Sequence, residues 1–127
     1  IYDDSIGFLR PPCNWPTWFK AVGIDHDPVH GTHFSNADHA VNAAISGAGV
    51  VLARRAMIIT DLEEGRLVAP FKTAIETQAR FRFLCLEGAE KRPQVAAFRD
   101  WFVAEIEKSA HISDAFRIIP VSEVPPP

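Results

Sequence analysis

Apolar positions in this 127-residue chain switch between a helical and an extended period. Trp15, Trp18, Phe19 and Val22 recur at spacings of three and four, which is one face of a helix. Asn14 suits its cap, Pro16 its first turn and Gly23 its stop. Ile1 to Asp4 and Thr32 to Ser35 read as short strands, with loops at Pro11-Pro12 and over residues 25–31. Ser35-Asn36-Ala37-Asp38 fits a capping box, a hydroxyl residue followed three later by an acid, and predicts the next helix start. Ala37, Ala40, Val41, Ala44, Ile45 and Ala48 form a small-residue stripe that lets such a helix lie close to a sheet. Gly47 and Gly49 end it, and Val50 to Ala53 reads as a buried strand closed by Arg54 and Arg55. A further helix spans about Ala56 to Glu64 before Gly65, and Leu67 to Phe71 and Arg80 to Leu86 read as strands. Pro93 opens a helix with Val95, Phe98, Trp101, Phe102 and Ile106 on a broad apolar face. Strands alternating with helices predict an α/β layer fold.

Proline placement marks where regular structure stops. Pro120, Pro125, Pro126 and Pro127 lack the N–H groups a helix needs, so the last eight residues read as a frayed tail. The length suits one domain or one lobe of a larger one. A net charge of −3 disfavours unaided binding to phosphate backbones, and no apolar run approaches the roughly 20 residues of a membrane span. The chain opens on Ile1-Tyr2-Asp3-Asp4, with neither Met nor a basic-then-apolar leader, and is expected to continue upstream. Cys13 and Cys85 are too few for a disulfide framework, and Cys85 sits in an apolar run typical of a buried thiol. A reduced, cytosolic compartment follows.

Candidate chemistry is sparse. His26, His30, His33 and His39 fall close together, but a loop, a strand and a helix carry them without the short regular spacing of a zinc site. Exposed loop histidines are the expectation, with no metal. Ile45-Ser46-Gly47-Ala48-Gly49 lacks the leading glycine of a serine nucleophile elbow. Cys13 has no activating neighbour in sequence. Gly47 and Gly49 precede a strand, the reverse of a phosphate-cradling loop. Asp3-Asp4 and Glu63-Glu64 are adjacent pairs whose side chains diverge, as on a solvated surface. No enzyme and no cofactor is expected. One feature resembles a binding site: Ser35 and Asn36 end a strand and open a helix, the place where open α/β sheets hold ligands. The same residues also suit a simple helix cap.

Five segments, in order, carry a family resemblance. Asn14-Trp15-Pro16-Thr17-Trp18-Phe19-Lys20-Ala21-Val22-Gly23 is similar to the W-x-x-W-[FL]-x-x-x-G segment of LysR-type transcriptional regulators. Thr32-His33-Phe34-Ser35-Asn36-Ala37 resembles their phenylalanine-containing strand into helix. Ala43 to Leu52 resembles A-A-x-x-G-x-G-V-A-L, Asp61 to Phe71 resembles D-L-x-x-G-x-L-V-x-P-F, and Ala97 to Phe102 resembles the closing A-F-R-x-W-[LI] helix. The resemblance covers about residues 1–108 and points to the subgroup of the glycine-cleavage activator and the β-lactamase regulator.

The resemblance implies a Rossmann-like lobe of a type-II periplasmic-binding-protein-like effector domain. Residues 1–79 would form the second lobe, 80–110 a returning strand and helix that pack on an absent first lobe, and 111–127 a Pro-rich tail. A small-molecule effector would sit between the lobes against Phe34, Ser35, Asn36, Ala37 and Phe81, with Arg54 and Arg55 as anion contacts or plain surface cations. It further implies a cytoplasmic bacterial regulator, a homodimer or homotetramer when intact. Such a protein reaches DNA only through an N-terminal helix-turn-helix and has no membrane partner. The alternative is a lobe of a secreted solute-binding protein.

Overall fold

A computed structural model describes residues 1–26, 30–108 and 110–125. Asp27, Pro28 and Val29 of the predicted loop, and Pro126 and Pro127 of the predicted tail, lie outside the described residues. The elements are β1 (Tyr2–Asp3), α1 (Trp15–Ala21), β2 (His33–Phe34), α2 (Ala37–Ile45), α3 (Arg55–Glu63), β3 (Thr73–Glu76), α4 (Pro93–Lys108) and β4 (Arg117–Pro120). The chain divides into two units, Ile1–Gln78 with Phe116–Pro127, and Ala79–Ala115.

The first unit holds two short parallel sheets. In one, β1 pairs with β2, Tyr2 opposite His33 and Asp3 opposite Phe34. In the other, β3 pairs with β4, from Thr73 opposite Arg117 to Glu76 opposite Pro120. Helix α1 forms as its sequence predicts: the Asn14 side chain accepts from the Thr17 N–H at 3.1 Å and from the Thr17 hydroxyl at 2.9 Å. Gly23 takes the left-handed conformation at φ +76° that ends it. Its two indoles then bind backbone of both sheet regions. Trp15 Nε1 donates to the Ile1 carbonyl at 2.9 Å, and Trp18 Nε1 to the Thr73 carbonyl at 3.5 Å. Trp18 itself is buried, packed at 5.3 Å between centroids on Phe71. The small-residue stripe of α2 supplies the rest of the core: Ala37, Ala40 and Val41 are buried, as are Ile119 and Val121. Ala44 and Ile45 are half-buried, and Ala48 falls beyond the helix and is exposed.

Several sequence expectations are corrected here. Val50 to Ala53 forms no strand; Val50 is exposed and its carbonyl accepts from the Ile1 amino group at 2.9 Å instead of a ladder. Leu67 to Phe71 is not a strand either. Leu67 N–H bonds back to the Asp61 carbonyl, and Pro70 has no N–H to give a ladder. Pairing begins just after it, where the Lys72 carbonyl accepts from the Arg117 N–H at 2.8 Å. The predicted frayed tail is in part β4 and a 3-10 turn at Val121–Glu123, because Ile119 and Val121 are apolar enough to be drawn into the core.

The second unit is built on α4, preceded by a 3-10 turn at Ala89–Lys91 and followed by another at Ala110–Ala115. The predicted strand at Arg80 to Leu86 is not formed, and the stretch is exposed. Cys85 lies on it and is exposed, which corrects the expectation of a buried thiol. Phe83 touches Phe98 at 5.9 Å, and Phe98 in turn touches Trp101 and Phe102. No described residue of this unit is buried.

Candidate functional site

Because β1 and β2 run parallel, their carboxyl ends share one edge, with Asp3 directly opposite Phe34. Ligands of open α/β sheets collect at such edges. After β1 the chain enters a 3-10 turn, Asp4–Ile6, capped by Asp3 Oδ1, which accepts from the Ser5 N–H at 3.0 Å. Across from it stands Arg54, the residue preceding α3. Its Nη2 donates to Ser5 Oγ at 3.2 Å and lies 3.5 Å from Asp3 Oδ2. The Asp3 side chain is 4% exposed, so it is a buried anchor and not the solvated acid its Asp3-Asp4 context predicts. Asp4 is exposed and meets His33 Nδ1 with both carboxylate oxygens at 3.1 Å. The His33 ring also stacks on Tyr2, with centroids 4.3 Å apart. Gly31 permits this arrangement, since a Cβ there would fall 2.5 Å from the Tyr2 ring.

The residues after β2 face the same edge. Phe34 is half-buried at the strand end, and Ser35 and Asn36 are exposed. The helix cap is Asn36 and not Ser35: in extended conformation, Asn36 brings Oδ1 to 2.8 Å from the Asp38 N–H. The predicted capping box therefore does not form, because the shorter Asn-to-i+2 bond takes the donor nearer the helix start. Ser35 is left outside the helix. Ala37 buries its methyl group in the core, so only its backbone can face a ligand. Phe81 belongs to the second unit, where its ring is exposed.

Sequence reading missed the Asp3, Ser5 and Arg54 trio. The available signal was that Asp4-Ser5 follows a short strand just as Ser35-Asn36 does. The contact partner, however, lies 49 residues from Ser5 in the chain.

A cavity of about 20 Å³ lined by Tyr2, Asp3, Ile6, Asn14, Trp15 and Leu52 has room for about one water and not for an organic ligand. Cys13 is half-buried, and burial pushes its thiol above its ordinary value, which makes it a poor nucleophile near neutrality. His26, His30, His33 and His39 are exposed, and among the described residues no three His, Cys, Asp or Glu side chains converge as metal ligands. No described helix is long and apolar enough to cross a membrane.

The described residues combine short parallel strands with helices, and comparison with known proteins gives the family. The model of the LysR substrate binding domain matches residues 9–107, and the chain belongs to that family. It is 34% identical over 105 residues to the glycine cleavage system transcriptional activator of Escherichia coli K12, covering 82% of this chain and 33% of the relative. The HTH-type transcriptional activator AmpR of Rhodobacter capsulatus is 38% identical over 94 residues, covering 72% of this chain and 31% of its own length. AmpR of Citrobacter koseri is 32% identical over 89 residues, 70% of this chain and 30% of that one. The chain thus spans about a third of the length of the curated relatives it matches. No solved structure matches it. The subgroup expected from the sequence motifs is the one these relatives represent, and their names set aside the secreted solute-binding alternative.

Proposed function

We propose that this chain is the ligand-sensing part of a bacterial LysR-type transcriptional regulator. In this reading it is a Rossmann-like lobe of a type-II periplasmic-binding-protein-like effector domain, not an enzyme, working in the cytoplasm of a homodimeric or homotetrameric protein. DNA contact belongs to a helix-turn-helix in the part of such a regulator that these residues do not span. The observation that carries the reading is the parallel β1–β2 edge, where Ser35 and Asn36 leave one strand beside the polar turn that follows the other. A small effector would meet Phe34, the Ser35 hydroxyl, the Asn36 amide and the Ala37 backbone. Phe81, which belongs to the second unit, is the further residue that the family resemblance adds to the effector set. The helix start adds donors, since the first N–H groups of a helix have no partner within it.

In the intact regulator, Ser35→Ala and Asn36→Ala should abolish the response to inducer while leaving basal operator binding in place. A reporter fusion and a gel-shift titration measure the two properties separately. Normal induction in both variants would mean that the effector binds elsewhere.

A further inference from the structure

We infer that Asp3 is a positioning residue for the effector edge, holding the β1–β2 strand ends in place without touching the ligand; the inference rests on the effector-binding reading just proposed. Its backbone lies in the ladder directly opposite Phe34, the residue that leads into Ser35 and Asn36. Its side chain is 4% exposed, too little for a ligand to reach, and both oxygens are occupied. Oδ1 accepts from the Ser5 N–H at 3.0 Å and so closes the turn after β1. Oδ2 lies 3.5 Å from Arg54 Nη2, and the same nitrogen donates to Ser5 Oγ at 3.2 Å. Arg54 arrives from the other side. The segment that carries it joins β1 on the edge away from β2, where the Ile1 amino group donates to the Val50 carbonyl at 2.9 Å.

The end of β1 is therefore held on both edges, by Phe34 in the ladder and by Arg54 through the Asp3 carboxylate. The ladder alone is a weak support, because two strands of two residues each do not make a self-sustaining sheet. The Asp3 contacts supply what it lacks. A carboxylate with so little exposure persists as an ion only when it is paired and hydrogen-bonded, and Asp3 is both. That requirement ties the strand end to one geometry. A second contact runs forward from it. Asp4 brings both carboxylate oxygens to 3.1 Å from His33 Nδ1, and His33 immediately precedes Phe34. Both of those side chains are more than half exposed, so this contact adds less than the buried one.

NMR of the folded 127-residue chain tests this, because native amide shifts report local geometry and not overall stability. Asp3→Ala should move the amide signals of Phe34, Ser35 and Asn36 severalfold more than those of Ala74 and Ile75 in β3. Asp3→Asn keeps an acceptor for the Ser5 N–H and should move the same three signals by less. The exposed Asp4→Ala should move them least, and these two variants carry the test if Asp3→Ala does not fold. Ile119→Val, which weakens the same unit at its other sheet, should leave all three in place. Unmoved signals in Asp3→Ala or Asp3→Asn, or equal movement in Ile119→Val, would overturn the inference. The effector reading fails separately. Loss of induction in Ser35→Ala and Asn36→Ala of the intact regulator, with a weakened response in Asp3→Asn, would support both. Normal induction in Ser35→Ala and Asn36→Ala, with the three signals still moved by Asp3→Ala, would take the ligand from this edge and leave Asp3 as the residue that shapes it.

Discussion

Helices α1 and α4 carry the same aromatic spacing and end in opposite surroundings. Trp15, Trp18 and Phe19 sit at positions i, i+3 and i+4, as do Phe98, Trp101 and Phe102. In the first unit this face is covered: Trp18 is 5% exposed, and both indole N–H groups reach backbone carbonyls. In the second unit Trp101 is 56% and Phe98 52% exposed, and the rings contact one another and Phe83. The difference teaches that helical period fixes which face is apolar, while cover depends on what the rest of the fold places opposite. Seven-residue α1 is too short to persist alone and is held by its tertiary contacts. Sixteen-residue α4 can rest on local terms such as Pro93 at its start and the Glu105–Lys108 pair. Its bare aromatic face is the kind of patch that marks an interaction surface.

The sharpest way to break this comparison is to delete one ring from each helix. Trp18→Ala removes a buried indole and its hydrogen bond to Thr73, and should destabilise the first unit by about 3–5 kcal/mol. Trp101→Ala removes a half-exposed ring and should cost less than about 1 kcal/mol. Urea unfolding followed by far-ultraviolet circular dichroism compares them on one scale. Equal losses would mean that Trp101 is buried in solution and that the contrast between the helices is unreal.

A smaller effect separates the two helix starts. Asn14 accepts from both the N–H and the hydroxyl of Thr17, so Asn14→Ala should cost about 1 kcal/mol. At the start of α4, Pro93 only pre-sets the backbone, and Pro93→Ala should stay within about 0.5 kcal/mol. The same unfolding experiment reads both. A Pro93→Ala cost as large as that of Asn14→Ala would show that α4 depends on its first turn more than its length suggests.

The comparison also explains what was legible in the sequence. Asn14, Pro16 and Gly23 bracket α1, and the alanine stripe locates α2, because caps and periodicity act within one turn. Among the strands only β1 and β2 were legible; β3 and β4 were not read. Val50 to Ala53 is as apolar as any strand yet is unpaired, whereas Thr73–Glu76 pairs with a segment more than forty residues away that its prolines disguised as a tail. The candidate site divides along the same line. Phe34 to Ala37 is contiguous and could be found by reading, although the exact cap shifted from Ser35 to Asn36. Arg54 was noticed as a cation, but its place beside Asp3 and Ser5 is a tertiary fact that no local pattern encodes.

The smallest expected effect lies in the two cysteines, one in each unit. Cys13 is half-buried in the first and Cys85 exposed in the second. Burial raises the Cys13 thiol above its ordinary value by penalising the thiolate. Since the folded value is the higher one, the protonated thiol favours the folded state below the ordinary thiol range. That contribution is lost as pH rises through the raised value, so the first unit should weaken slightly on the alkaline side. Reaction with iodoacetamide reports the same physics more directly, because only the thiolate attacks and only an accessible one is reached. At pH 7.5 Cys85 should be alkylated severalfold faster than Cys13, and the rate for Cys13 should keep climbing at pH values where an ordinary thiol has levelled off. Mass spectrometry of the two cysteine peptides over a pH series measures both. Equal rates, together with an ordinary profile for Cys13, would place its thiol in water and reduce the difference between the two units to their aromatic faces alone.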